Sequence, residues 1–578
     1  MARITLWLIG LGLLISISLV VGIYLLSQNE TADFGGSAKI LKLELDAGLK
    51  DMPGSGSLLD DPESLPPLTT EVSQMLLDAS TDNAISGLHI NLSSLNLGWA
   101  QVHEIRNSIK TFVDSGKPCT LHTDALSNKE YYLASACSDI HISPNGIFLV
   151  NGLSVTQSYY ANLFEKLDIS ANFAHVGDFK SAVEPYERTG PSEAASEATN
   201  ALLDSLFGQL QNSIAEGRNL LNEESIALLD DPPFTPQAAL ESGLIDSLSY
   251  SDEILDPEAD VIYSDRYLKK RRSAWQSNPN KIAIIHADGA IVSGDSGESM
   301  FGGQFVGDVS MKRYIRKAKD DDNIKAVVLR VNSPGGSGAA SDIIWHELEE
   351  LQAAGKSVVV SMGDYAASGG YYISMGSDFI FAQPNTITGS IGVFGGKINL
   401  SGLYDYAGVT QHTYKRGHFS TIFSEVHNFD DRQRAKYQDF LNGFYDVFIT
   451  KAAEGRNLEK SVIHDVAQGR VWTGEQAIER GLVDALGGLS DALEKAAELE
   501  GLADYGIVRF PEHKTLLEII IEDFSSSDDR ESQLVQNMKY NLQLPESMRH
   551  TIDHAIMLER ILDGHGAAVL LPGQLQID

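Results

Sequence analysis

The chain carries the same text twice. Ala215-Glu216-Gly217-Arg218-Asn219-Leu220 recurs as Ala453-Glu454-Gly455-Arg456-Asn457-Leu458. Gly243-Leu244-Ile245-Asp246-Ser247-Leu248 recurs as Gly481-Leu482-Val483-Asp484-Ala485-Leu486. Tyr131-Tyr132 matches Tyr371-Tyr372, Pro144-Asn145 matches Pro384-Asn385, and Gly177-Asp178-Phe179 matches Gly417-His418-Phe419. Ordered matches at a near-constant offset of about 240 residues imply a tandem duplication of one domain, not a short-period solenoid. Whatever fold the chain takes, it must be taken twice.

The second copy shows which fold that is. An apolar run, Lys325 to Arg330, leads into Val331-Asn332-Ser333-Pro334-Gly335-Gly336-Ser337. A second run, Ser357 to Met362, leads into Ala366-Ala367-Ser368-Gly369-Gly370. Strand, glycine turn, helix, strand, small-residue turn, helix is the order of a parallel α/β unit. Pro334-Gly335-Gly336 can turn sharply and leave backbone N–H groups uncovered, as an oxyanion site requires. Ser368 opens a helix, where its hydroxyl can face a cleft. Either piece alone is an ordinary turn; their pairing carries the signal.

The copies differ where chemistry would sit. Opposite the glycine turn the first copy has Leu92-Ser93-Ser94-Leu95-Asn96, and opposite Ser368 it has Asn128. It has Lys180 where the second copy has Ser420. A serine nucleophile needs an adjacent base. Among fifteen histidines, His175, His286, His346 and His418 are candidates, but none sits in a triad motif and there is no Gly-x-Ser-x-Gly elbow. A lysine can serve if desolvation lowers its pKa from about 10.4 toward neutrality. Phe179 and Ser181-Ala182-Val183 offer Lys180 apolar cover, whereas Asp178 and Glu184 would oppose the shift if they pointed inward. Spacing alone reads Lys180 as a surface lysine.

The formal charge of −35 argues against nucleic-acid binding, because phosphates would be repelled. Cys119 and Cys137, the only cysteines, lack zinc-ligand spacing and read as two buried thiols, with one disulfide as the alternative outside the cytosol. Ile4 to Leu26 is a 23-residue run without a charge, long enough to cross a bilayer. Arg3 precedes it and Glu30 and Asp33 follow it, which places the remainder outside the cytoplasm. The run exceeds a signal-peptide core and no Ala-x-Ala-like site follows, so it reads as an uncleaved anchor within residues 1–29. The copies run from 38 to 272 and from 276 to 500. Pro53 to Pro67 reads as a loop and Lys269-Lys270-Arg271-Arg272 as a solvated linker face. Residues 501–578 carry apolar stretches at Leu516–Phe524 and Ile552–Leu562 but no readable motif.

Gly177-Asp178-Phe179-Lys180-Ser181-Ala182-Val183-Glu184-Pro185, Arg330 to Ser337, Met362 to Gly370 and Thr388-Gly389-Ser390-Ile391-Gly392 resemble the motifs of the signal peptide peptidase A family. The likeness is to its long, duplicated bacterial form, among the serine peptidases with the Clp protease/crotonase fold. It covers residues 38 to 500 and the anchor. It implies a tandem Clp/crotonase-like α/β fold with Ser368 as nucleophile, Lys180 as general base and Ser390 holding the lysine. Gly335, Gly336 and Gly369 would supply the oxyanion N–H groups. It further implies no metal or cofactor, signal peptides and other apolar peptides as substrates, a homotetramer, and an inner-membrane location with the catalytic part in the periplasm. A crotonase-type thioester enzyme and a silent membrane scaffold are the competing classes. Neither needs a Ser–Lys pair.

Overall fold

The computed structural model describes residues 38–52, 66–233, 235–298, 303–512 and 568–570. The expected anchor, most of the Pro53–Pro67 loop and the two apolar tail stretches lie outside the described residues. Among the described residues no helix is long and apolar enough to cross a membrane.

The first copy forms β1 (Lys39–Leu45), β2 (Ile85–Leu92), β3 (Cys119–Ser127), β4 (Asp139–Leu149), β5 (Ser170–Val176), β6 (Ser247–Leu248) and β7 (Val261–Tyr263). All but β5 join one parallel sheet in the order β6-β4-β3-β2-β1-β7. The second copy adds β8 (Lys281–Asp288), β9 (Ala290–Val292), β10 (Gly297–Glu298), β11 (Gln304–Gly307), β12 (Ile324–Ser333), β13 (Gly335–Ser337) and β14 (Ser357–Ala367). It continues with β15 (Phe379–Ala382), β16 (Ile387–Gly389), β17 (Val393–Asn399), β18 (Val471–Thr473), β19 (Ala485–Leu486), β20 (Gly506–Phe510) and β21 (Ala568–Leu570). Its main sheet runs β18-β16-β14-β12-β8-β20, with β15 beside β14 and β19 beside β15. The strands Ile282–Ile285, Ala326–Leu329 and Val358–Val360 are wholly buried, as parallel strands covered by helices on both faces require.

The second sheet repeats the first, β20-β8-β12-β14 matching β7-β1-β2-β3, β15 and β16 together matching β4 and β19 matching β6, and adds the antiparallel β18; the repeated motifs turn out to hold the framework. Both 26-residue helices, Glu193–Arg218 and Asp431–Arg456, end on an asparagine in the left-handed conformation, Asn219 and Asn457. Arg218 pairs with Asp246 at 2.7 Å, and Arg456 pairs with Asp484 at 2.5 Å. Each aspartate then accepts the N–H at the start of a strand, from Ile140 or Ile380. Tyr131 and Tyr371 each donate to the next repeated segment, at Leu244 O and Leu482 O. What was duplicated visibly is scaffold.

Three expectations change. β20 pairs with β8 as β7 pairs with β1, so the second copy reaches residue 510 and this part of the tail does have a counterpart in the first copy. The Lys269–Arg272 cluster lies in the helix Ser264–Ser277 rather than in a linker: Lys269 and Lys270 are exposed, as expected of a solvated face, but Arg271 pairs with Asp78 at 2.7 Å and Arg272 with Glu71 at 2.5 Å. Cys119 and Cys137 are joined in a disulfide, their Cα atoms 4.8 Å apart at the neighbouring ends of β3 and β4.

β5 positions the site. It leaves its own copy and pairs antiparallel with β17 of the second, from Val393 opposite Val176 to Asn399 opposite Ser170. A third sheet, β10-β11-β9-β13-β21-β17-β5, thereby draws on both copies.

Candidate active site

Ser368 follows β14 directly and caps the short helix Gly369–Tyr372 with φ 55° and ψ −109°. A non-glycine residue in that region is strained and persists only when its surroundings hold it there. Here Ser368 N donates to Gly389 O and Tyr372 N donates to Ser368 O, both at 2.8 Å.

Lys180 comes from the segment just after β5. Its Nζ is 2.8 Å from Ser368 Oγ, 2.9 Å from Ser390 O and 2.9 Å from Ser390 Oγ. The three groups are buried, Lys180 with 1% exposure. Ser390 is itself at positive φ, 51°, and donates its N–H to Arg470 O at 2.7 Å. Gly469 explains how the lysine stem fits. It sits at φ +77°, and a Cβ there would lie 2.6 Å from Lys180 Cβ, so no larger residue leaves room. Phe179 N donates to Gln468 O at 2.8 Å and pins the same approach.

Burial alone holds the Lys180 ammonium well below its ordinary pKa; no charge contributes. Asp178 and Glu184, which threatened the opposite effect, are not among its partners. Glu184 instead accepts the N–H of Ser192 at 2.9 Å.

Gly369 follows Ser368 and abuts the glycine turn: a Cβ on it would lie 3.1 Å from Gly335 Cα and from Gly336 N. Gly335, Gly336 and Gly369 are thus brought together around the serine. The Gly335 N–H already donates to Ser333 Oγ at 3.2 Å.

The histidine candidates are elsewhere. His175 and His346 are exposed. His418 pairs with Asp430 at 3.1 Å on the surface. His286 is buried beside Asp51 and Arg330, and burial pushes its pKa down to about 4. In the first copy, Asn128 occupies the serine's position and binds Gly152 O and Asn151. Ser420, in the lysine's position, is exposed and donates only to Gly417 O.

One feature beneath the site was not legible in the sequence. Arg330, fully buried on β12, binds Asp51 at 2.8 Å and Glu104 at 2.8 Å, both from the first copy, and Ser361 of β14 at 2.8 Å. Burial raises the Asp51 carboxyl, but Arg330 outweighs it and leaves Asp51 below the usual range. Glu104 stays above it, because burial dominates. Asp364, four residues before Ser368, accepts the N–H groups of Ala100 and Gln101 at the start of the helix Trp99–Asp114. The only sequence hint of this cluster was an arginine inside an apolar strand.

A duplicated parallel α/β scaffold with a buried lysine amine against a strained serine and a glycine turn has the makings of an acyl-transfer site. Comparison with known proteins supplies the class. The signature of peptidase family S49 matches residues 111–260 and 350–503. The chain is 34% identical over 459 residues to "Protease 4" of Haemophilus influenzae, covering 75% of this chain and 73% of that one. It is 33% identical over 479 residues to "Protease 4" of Salmonella typhi, covering 79% and 76%. A "Putative signal peptide peptidase SppA" of Enterococcus faecium is 34% identical over 256 residues, 44% of this chain and 74% of that one. The chain belongs to peptidase family S49 and is a serine-type peptidase of the Protease 4/SppA kind.

Proposed function

We propose that the chain is a membrane-anchored endopeptidase whose nucleophile is Ser368 and whose general base is Lys180. The observation that carries this reading is the 2.8 Å contact between Lys180 Nζ and Ser368 Oγ, at a lysine whose pKa burial lowers well below its ordinary value and so toward the neutral amine a base requires. A neutral amine has two N–H groups and one lone pair. Ser390 O must accept one N–H and Ser390 Oγ can accept the other, which leaves the lone pair for the Ser368 hydroxyl proton. Ser390 therefore aims the base as well as holding it.

Lys180 takes the proton of Ser368 as Oγ attacks a peptide carbonyl. Backbone N–H groups of Gly369 and the Gly335–Gly336 turn stabilise the oxyanion, at roughly 2.7–4 kcal/mol per donor. The lysine ammonium then protonates the leaving amine. Water, activated by the same lysine, hydrolyses the acyl-enzyme. No metal or cofactor enters this sequence.

The substrates are cleaved signal peptides and other apolar peptides. The name of the Enterococcus relative supports that substrate class, and the uncharged Ile4–Leu26 run supports a place at a bacterial inner membrane, with the catalytic part on the periplasmic side. The Cys119–Cys137 disulfide fits an oxidising compartment. Copies assemble into a ring, for which we adopt a tetramer. Two features support assembly: Tyr406 and Tyr414 are 88% and 87% exposed, and residues 410–416, the counterpart of β5, pair with no strand among the described residues.

A fluorophosphonate probe tests the reading. It should label Ser368 in the intact protein and fail to label Ser368→Ala or Lys180→Ala. A thioester enzyme or a silent scaffold would not label at all.

A further inference from the structure

The loop that buries Lys180 belongs to the second copy and runs from the helix Lys460–Val466 to β18. Gln468 and Gly469 are consecutive residues in the left-handed region, at φ 54° and 77°, a pairing that the surroundings must enforce. The loop backbone binds both flanks of the lysine. Gln468 O accepts the N–H of Phe179 at 2.8 Å, and Arg470 O accepts that of Ser390 at 2.7 Å. Gly469 N donates to Ile391 O at 2.8 Å between them. Side chains have no room here: a Cβ on Gly177 would lie 2.4 Å from Gln468 C, and one on Gly392 would lie 2.8 Å from Gly469 Cα.

The Arg470 side chain reaches the same flank from another direction. Its guanidinium carbon lies 4.7 Å from the centre of the Phe179 ring and 4.5 Å from that of Trp472, close enough for cation–π contact with both. Its Nη1 pairs at 2.6 Å with Glu197, on the first copy's helix Glu193–Arg218. Phe179 packs in turn against the cluster Ala198, Leu202, Ala367, Ile387 and Val471, and Ala367 is the residue before Ser368. One residue thus meets Phe179 with its side chain and Ser390 with its carbonyl. The copies differ here too. Thr235 and Thr473 cap corresponding helices, Pro236–Glu241 and Gly474–Ile478. Counting back from them, the first copy has Asp231-Pro232 where the second has Gly469-Arg470. The copy with Asn128 in the serine's position lacks this seat as well.

We propose that Arg470 is a positioning residue for the general base: its guanidinium, lying over Phe179, and its carbonyl, on Ser390 N, hold the two flanks of Lys180 in place. This rests on the reading of Lys180 as base and Ser368 as nucleophile. No charge contributes to the lowered pKa of Lys180, whether from Asp178 and Glu184 on its own segment or from Arg470 and Glu197 across from it. Arg470 therefore acts by keeping the lysine buried and aimed, and not through its field.

The experiment uses full-length chains and follows the rate at which fluorophosphonate labels Ser368 as pH is raised. That rate should climb through the native pKa of Lys180, since only the neutral amine is a base. Arg470→Met keeps the length of the side chain and removes the planar cation. Water should then reach Nζ, and the climb should move by about one pH unit toward the ordinary lysine value. On a fluorogenic apolar peptide, kcat should fall about 10- to 100-fold with KM unchanged. Arg470→Lys should resemble Arg470→Met, because an ammonium can pair with Glu197 but cannot spread over the Phe179 ring. Glu197→Gln should resemble wild type, the carboxylate being exposed. An arginine that only stabilised the fold would lower the urea midpoint without moving the climb. An unmoved climb in Arg470→Met, or wild-type behaviour of Arg470→Lys, would therefore overturn the proposal. If Arg470→Met does not fold, Phe179→Leu, which removes the ring beneath the guanidinium, decides by the same measure. Wild type that never labels removes the peptidase reading and this proposal with it. Wild type that labels, with its pH dependence unchanged in the variants, removes this proposal alone.

Discussion

Lys180 and Ser368 are 188 residues apart in the chain and belong to different copies of the duplicated domain, yet their side chains meet at 2.8 Å. Two groups acting as one unit lose their effect together. Ser368→Ala and Lys180→Ala should each remove turnover almost completely, and the double variant should be scarcely slower than either. Losses that multiply in the double variant would show that the two act separately. Steady-state kcat on an apolar peptide is the measurement.

The buried lysine also leaves a mark on stability. Above the unfolded-state pKa of about 10.4 both states are neutral, and burial of the amine carries no proton penalty. As pH falls below that value the unfolded chain binds a proton that the native chain refuses. Wild type therefore loses about 1.4 kcal/mol per pH unit, down to the native pKa. Lys180→Met has no such group. Its urea midpoint relative to wild type should rise steadily as pH is lowered from 10 toward neutrality. A pH-independent difference would mean that Lys180 is charged in the folded protein.

Arg330 should be the joint between the copies. Arg330→Met leaves Asp51 and Glu104 buried without their cation, a change that costs about 3–5 kcal/mol in comparable cases. Because both carboxylates come from the first copy, the loss should loosen one copy from the other and separate their unfolding transitions in calorimetry. Peptidase activity should fall as well, since Lys180 reaches Ser368 only across that junction. Adding Asp51→Asn and Glu104→Gln should recover part of the stability. A single, unshifted transition in Arg330→Met would refute this role.

The sequence made the scaffold legible because duplication repeats whatever both copies need: the Asn219/Asn457 caps, the Arg218–Asp246 and Arg456–Asp484 pairs, and the tyrosines that bind the following segment. The site was legible as differences between the copies, at Asn128 against Ser368 and at Lys180 against Ser420. Local reading failed on Lys180, because its burial comes from Gly469 and Gln468, almost three hundred residues on, and flanking residues carry no trace of them. The same limit hid the Arg330 cluster and the strand at 568–570. Each depends on a partner that only the folded chain brings near.

Duplication also sets the terms for contact between copies of the chain. Within one chain β5 crosses to β17, in a register that runs from Val393 opposite Val176 to Asn399 opposite Ser170. The counterpart of β17 in the first copy is 153–159, and the counterpart of β5 in the second is 410–416. Neither segment pairs with a strand among the described residues, and the offset between the copies is constant across this region, as the helices Ala161–Lys166 and Ser401–Tyr406 also show. If chains join as the copies within a chain join, residues 410–416 of one chain pair with 153–159 of the next. The register carried over puts Val155 opposite Tyr414 and Gln157 opposite His412. Opposed Cα atoms in an antiparallel pair are about 4.5–5.5 Å apart, within reach of a disulfide. Val155→Cys/Tyr414→Cys should therefore cross-link between chains on mild oxidation, giving a ladder that closes at four on a non-reducing gel. Val155→Cys/His412→Cys, out of register by two residues, should cross-link far less. Equal yields from the two pairs, or no cross-link from the first, would rule out this pairing.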